Sequence, residues 1–363
     1  MSDVISRAQS VLREQWTDFT RVNRSDRPWQ MPFAAGLAAG LPIAIGAWFG
    51  HVEYGLISSL GGMTFLYTPN TRMTRRMVTL MACGFGMTAS FALGAATQMA
   101  PWAQAPALAF MAALATVLSR YFQMPPPGNF FFVMSATMGM FTPTPLLQWP
   151  YHVGLSFLGA FLALAIAFVY SLVEMRLRPP RPPAEPRGYE FDAVIFDSLV
   201  IGLTIGAALA LAQAFGMDRP YWVPVSCAAV IQGQNLQAVW TKQLQRIIGT
   251  GLGLMLALAL LSLRLDGWGL AALVTGLSFL IETAVVRHYG FAALFISPLT
   301  IMMAEAAHPA ATPIGALIGA RFYDTVLGCL IGVAGAALIH RPRLRAFVSR
   351  PLRKLADAVL ERR

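Results

Sequence analysis

The sequence predicts an all-α integral membrane protein, with twelve transmembrane helices arranged as two parallel six-helix repeats. Three observations lead there. Of 363 residues, 56% are hydrophobic and only 12% are charged, against about 25% charged in an ordinary soluble domain. Twelve apolar runs approach the ~20-residue length that crosses a bilayer. The two halves of the chain also resemble each other. A soluble protein with buried helices is the alternative, and so many runs near membrane length argue against it.

The runs fall at 32–50, 54–67, 77–97, 105–119, 130–147 and 153–173, then at 194–215, 221–234, 247–263, 268–286, 291–304 and 314–339. They divide the chain into a cytoplasmic amphipathic N-terminal helix (1–30), a first membrane repeat (31–175), a Pro/Arg-rich cytoplasmic linker (176–190), a second repeat (191–340) and a basic cytoplasmic tail (341–363). With a cytoplasmic N-terminus, all 27 Lys and Arg except Arg219, Arg264 and Arg321 fall on the inner side. That is the positive-inside bias, and it supports both the count and the orientation. The formal charge of +10 follows from it, so nucleic acid is not needed as a partner.

In the N-terminal segment, Val4, Ile5, Ala8, Val11, Leu12, Trp16 and Phe19 recur at helical spacing. The segment reads as a helix lying on the inner leaflet, with a soluble cytoplasmic helix as the alternative. It lacks the uninterrupted apolar core of a cleavable signal peptide. Phe347, Leu352, Leu355 and Val359 give the tail the same character. Cys83, Cys227 and Cys329 are isolated in apolar runs, with no disulfide or zinc-ligand spacing. They read as small packing residues.

The repeat is carried by particular residues. Gly36 and Gly40 correspond to Gly202 and Gly206, and Phe49-Gly50 to Phe215-Gly216. Glu53 and Tyr54 correspond to Asp218 and Tyr221-Trp222, and Arg120-Tyr121 to Arg287-His288. Each half holds an even number of runs, so both enter the membrane in the same direction, as a parallel repeat. Prolines and arginines at 176–188 make the joint a stiff, solvated linker. Further glycine pairs, at 249–253, 315–319 and 328–332, have the small-xxx-small spacing that lets helices approach closely.

The second run of each half stops short. "YWVPVSCAAVIQGQNLQ" turns polar at Gln232, and "YGLISSLGGMTFLYTPN" breaks at Gly61-Gly62 and ends at Asn70. Paired interrupted segments point to a transport site, because the freed backbone groups must face protein or a wet cavity. Gln232, Gln234 and Asn235 could hydrogen-bond a solute there. Lys242 and Arg246, with Arg72, Arg75 and Arg76, stand just inside and would concentrate an anion. The plain alternative is a pair of short spans whose basic flanks only set topology.

Other polar residues lie at membrane depth. Arg321 and Asp324 are one turn apart and can pair on one face. They read either as a structural bridge or as an anion holder beside a proton-exchanging carboxyl. Glu282 has Arg287 and His288 as candidate partners, or serves a proton relay. His152 reads as interfacial. Trp48, Trp102, Trp149, Tyr151, Tyr221, Trp222 and Trp268 form an outer aromatic belt. Within it, Tyr221 and Trp222 could also stack on an aromatic solute. The sequence shows no P-loop, dinucleotide fingerprint, His-rich metal cluster or nucleophile elbow, so no cofactor or enzymatic role is expected.

"YWVPVSCAAVIQGQNLQAVWTKQLQRIIGTGLG" resembles the signature segment of the fusaric acid resistance protein-like family, part of the aromatic acid exporter superfamily. "RFYDTVLG", residues 321–328, is similar to the segment of its last span, and "PPPGNFFFVMSA", residues 125–136, also fits. The resemblance covers most of residues 30–340 and puts Lys242, Arg246, Arg321 and Asp324 on the family's charged motif positions. It implies a multi-pass bacterial inner-membrane protein that exports aromatic or other organic acids with the proton gradient. The large cytoplasmic domains of many relatives are replaced here by a short linker and tail.

The expected substrate-binding residues are Gln232, Gln234, Asn235, Lys242, Arg246, Arg321, Asn70, Arg75, Arg76, Tyr221 and Trp222. Asp324 and Glu282 are the expected proton-coupling pair. Partners are a small organic anion, protons and membrane lipid, with a periplasmic adaptor protein and self-association left open. A passive organic-anion channel and a non-transporting scaffold subunit of an envelope complex are the competing functions.

Overall fold

The computed structural model of the chain describes residues 17, 19–25, 27–124, 126–177, 191–233, 235–307 and 314–341. Most of the expected N-terminal helix, the linker, the tail and Gln234 lie outside the described residues. Those described are helical wherever they are regular. The first six helices are α1 (Gln30–Trp48), α2 (Val52–Gly62), α3 (Met73–Ala96), α4 (Gln104–Tyr121), α5 (Phe130–Phe141) and α6 (Trp149–Leu177). The next six are α7 (Phe191–Ala214), α8 (Trp222–Ile231), α9 (Leu236–Leu261), α10 (Gly267–Val285), α11 (Tyr289–Ala307) and α12 (Ile314–Ile339). Each apolar run read from the sequence falls on one of them.

Eight of these, α1, α3, α4, α6, α7, α9, α10 and α12, are long and apolar enough among the described residues to cross a membrane. Three of the others, α2, α5 and α8, have eleven, twelve and ten residues, and α11 is apolar along Tyr289–Met303. α8 has ten residues, a rise of about 15 Å, or half the ~30 Å hydrocarbon core. All ten are buried. α2 has eleven residues and runs into a 3₁₀ turn at Met63–Tyr67. Two polar residues mark helix starts: Asn235 Oδ1 accepts from Ala238 N at 2.8 Å, and Asp266 Oδ1 from Gly269 N at 2.8 Å. Each satisfies a backbone donor that the first turn leaves free.

Packing partners recur six helices on. α2 packs on α6 and α8 on α12; α3 packs on α5 and α9 on α11. The first helix of each six packs on the fourth of the other: α1 on α10, and α7 on α4. The glycines shared by the two halves make these crossings close. A Cβ on Gly36 would stand 2.6 Å from Thr275 O, and one on Gly40 2.8 Å from Ala271 O. On the other side, Gly202 would meet Ala109 O at 2.5 Å and Gly206 would meet Ala105 O at 2.9 Å. Gly249 and Gly253 of α9 likewise face α11, and Gly328 and Gly332 of α12 face α8. The pair Gly315 and Gly319 is the exception to the sequence reading, since a Cβ there meets nothing within 4 Å. Cys83, Cys227 and Cys329 are buried and free, in keeping with their reading as packing residues.

Gly40→Ala or Gly206→Ala should lower stability by about 1–3 kcal/mol through overpacking, although alanine favours helix more than glycine does. Gly276→Ala, where a Cβ meets nothing within 4 Å, should be neutral or slightly stabilising. Thermal unfolding in detergent reads the difference in sign.

Candidate functional site

A cavity of about 1200 Å³ lies between the first six helices and the last six. Both shortened helices reach it. α2 and its 3₁₀ turn contribute Leu60, Met63 and Leu66, and α8 contributes Trp222, Val225, Ala229 and Ile231. Most of the wall is apolar. The polar groups therefore decide its chemistry.

Three cations line it from the second half. Arg246 of α9 is 3% exposed. Its Nη1 donates to the Tyr289 hydroxyl at 2.8 Å and its Nη2 to Ser226 Oγ at 3.4 Å, while Nε has no partner. Arg321 of α12 is also 3% exposed. Its guanidinium carbon stands 3.6 Å from the centre of the Trp222 ring. Nη2 reaches Thr300 Oγ1 at 3.5 Å, and Nε and Nη1 have no partner. Lys242 Nζ lies 4.9 Å from the centre of the Tyr289 ring. None of the three has a carboxylate within ion-pair distance among the described residues. A buried guanidinium short of acceptors is costly, and an anion with carboxylate oxygens would supply what is missing.

The cavity's two carboxylates are occupied. Glu282 Oε2 accepts from Arg27 Nη1 at 3.0 Å, and Asp197 Oδ2 accepts from Arg120 Nη1. All four residues line the cavity. Glu282 therefore pairs with a residue just before α1, and the expected pairing with Arg287 or His288 is corrected. The ring of His288 turns instead to Gln245 and the Phe19 carbonyl. Arg321 and Asp324, expected to pair along one face, form no ion pair. Asp324 is 1% exposed, its Oδ2 has no hydrogen-bond partner, and it does not line the cavity.

The amides separate. Gln232 lines the cavity and donates to the Ala228 carbonyl at 2.9 Å. Asn235 is exposed and spends its oxygen on capping α9, outside this cavity. In the first half, Arg75 is exposed and Arg76 is buried at 1% exposure. Arg76 is fully engaged, with Glu174 and Ser171 of α6, Asn70 Oδ1 at 3.1 Å and the Thr71 carbonyl at 2.8 Å. Asn70, Arg75 and Arg76 do not reach the cavity. Trp222 does, beneath Arg321, while Tyr221 packs on Phe141 with ring centres 5.8 Å apart.

Sequence reasoning missed the loop before α5. Tyr67, at the end of the broken α2, donates its hydroxyl to the Gly128 carbonyl at 2.7 Å. The Gln232 side chain, at the end of the broken α8, rests against the open face of Gly128, where any Cβ would collide. With φ +60° as well, that position favours glycine. The Pro-Pro-Gly sequence was the available signal. Tyr289, which touches two of the three cations, was also missed.

Residues 206–335, which include Lys242, Arg246, Arg321 and Asp324, match the family model described as fusaric acid resistance protein-like. The chain is 22% identical to a protein described as "Uncharacterized membrane protein YvaC" of Bacillus subtilis (strain 168), over an alignment of 471 positions that covers 89% of this chain and 74% of that protein. No solved structure matches the chain.

Glu174→Gln should leave Arg76 buried without its countercharge and cost on the order of 3 kcal/mol of stability. Unfolding midpoints in detergent, set beside those of the unaltered chain, check it.

Proposed function

We infer, from a chain whose residues 206–335 match the fusaric acid resistance protein-like family, that this protein is an inner-membrane transporter exporting small aromatic or other organic acids. The observation that carries the reading is the triad of cations, Lys242, Arg246 and Arg321, lining one cavity with no carboxylate upon them. A water-filled pore for cations would not be lined this way. An aromatic acid fits both parts of the wall: its carboxylate meets the guanidinium groups, and its ring meets Trp222 and the apolar lining.

The wider architecture in this reading is twelve spans in two parallel halves, residues 31–175 and 191–340. The recurrence of packing partners six helices on supports it, as does the short second helix of each half. α2 and α8 are then half-crossings whose ends are tolerated because they face protein and cavity, away from lipid. Both termini are cytoplasmic. Arg27, Gln123, Val286 and His340 line the cavity at what are then the inner ends of their helices, so the open side faces the cytoplasm, where an exported acid enters.

Alternating access needs contacts that break and re-form between the halves. The two ion pairs are placed for that work. Arg27–Glu282 ties the start of α1 to α10, and Arg120–Asp197 ties α4 to α7. Protons are the coupling ions, exchanged at Glu282 and Asp324. Protonating Glu282 removes the charge that holds Arg27 and loosens that tie.

Two outcomes test this in proteoliposomes. Arg246→Gln and Arg321→Gln should each reduce benzoate or salicylate flux by roughly tenfold or more, the worth of a hydrogen bond to a charged group. Undiminished flux in both would remove the cavity from the route. The double variant Asp324→Asn, Glu282→Gln should lose uphill transport driven by a pH gradient and keep downhill flux. Uphill transport retained by the double variant would remove Glu282 and Asp324 from proton coupling, and downhill flux alone in the unaltered protein would make it a passive channel.

A further inference from the structure

A second, shallower pocket of about 470 Å³ lies beside the main cavity. Its wall includes Arg21, Thr241, Gln245, Arg287 and His288. Three residues line both spaces: Lys242, Val285 and Tyr289. Tyr289 is therefore part of the partition between a polar pocket at the mouth and the cavity that holds Arg246 and Arg321.

Tyr289 also holds the cations. Its ring faces the Lys242 ammonium at 4.9 Å, and its hydroxyl oxygen accepts from Arg246 Nη1 at 2.8 Å. The face of an aromatic ring and a phenol oxygen are the two neutral groups that best imitate an anion toward a cation. We propose that Tyr289 is an internal stand-in for the transported anion, occupying Lys242 and Arg246 in the empty cavity, and that an incoming organic carboxylate displaces it in passing from the mouth pocket to Arg321. The proposal rests on the reading of the cavity as an organic-anion site.

The exchange is favourable on physical grounds. A carboxylate adds an opposite charge and a bidentate grip to the single hydrogen bond that the phenol accepts, so the substrate out-competes the phenol. Tyr289 is the first residue of α11, so its χ1 rotation meets no preceding turn of that helix. The stand-in also explains why the cavity tolerates Arg246 without a countercharge. When no substrate is present, a neutral acceptor covers part of the guanidinium, and it does so without the permanent charge that would repel the anion.

This arrangement makes an unusual demand on the sign of a mutation. Tyr289→Phe keeps the ring over Lys242 and removes only the competing acceptor from Arg246. A residue that contacts the substrate, or one that merely holds the wall, would weaken binding when trimmed. A stand-in would strengthen it. Benzoate titrated into the purified full-length protein by calorimetry should therefore bind Tyr289→Phe roughly tenfold more tightly than the unaltered chain. Tyr289→Leu, which frees Lys242 as well, should move the same way and serves if the first variant folds poorly. In an Arg246→Gln background, where benzoate binds more weakly, the Tyr289→Phe gain should vanish, since the two residues then no longer interact. Unchanged or weaker binding by both Tyr289 variants, with binding still dependent on Arg246 and Arg321, overturns the stand-in and leaves the anion site standing. Benzoate binding that ignores Arg246 and Arg321, or no binding at all, overturns both.

Discussion

A guanidinium removed from water must be met by acceptors, and this constraint organises the protein. Left short of acceptors inside a low-dielectric medium, it costs far more than any single packing contact supplies. The chain answers it in two ways. In the first half, Arg76 is closed off by Glu174, Ser171, Asn70 and a backbone carbonyl, and the local structure becomes a fixed corner. In the second half, Arg246 and Arg321 receive only neutral groups, namely a phenol, two hydroxyls and an indole face. Three of their nitrogen donors stay unanswered. The halves share their helix order and packing partners, and they differ in the groups that meet the buried arginines.

The frame around these arginines is built from small residues. Glycines on α1 and α7 bring these helices onto α10 and α4 at backbone distance. In a bilayer, close van der Waals contact replaces the hydrophobic drive that packs soluble helices. The same two crossings end in the Arg27–Glu282 and Arg120–Asp197 pairs.

Much of this was legible in the sequence because it is local or periodic. Apolar runs dictate helices, since backbone groups in lipid have no other partner, and each of the twelve runs lies on one. The correspondence of Gly36 and Gly40 with Gly202 and Gly206 pointed to equivalent contacts, and these proved to be equivalent crossings. Lys242, Arg246, Arg321 and Gln232 stood out as polar groups in apolar stretches, and the structure brings them with Trp222 to one cavity wall. Pairing over long separations was not. Nothing near Glu282 in the sequence points to Arg27, 255 positions away, so Arg287 and His288 looked closer. Arg76 resembled Arg246 in its flanks, and only the fold brings Glu174 to one and not to the other. Asn235 read as a ligand because an amide does not announce whether its oxygen faces a cavity or caps a helix. Tyr289 was passed over because a tyrosine near a helix end ordinarily marks an interface.

The central claim is that Arg246 and Arg321 together receive one organic carboxylate. The most direct measurement is an experimental structure of the full-length protein with 4-bromobenzoate, the bromine located by its anomalous signal. The account predicts a single bromobenzoate in the cavity, its carboxylate within hydrogen-bond reach of both guanidinium groups and its ring against Trp222. A cavity that stays empty at saturating ligand, or arginines found paired with carboxylates of the protein itself, would contradict it.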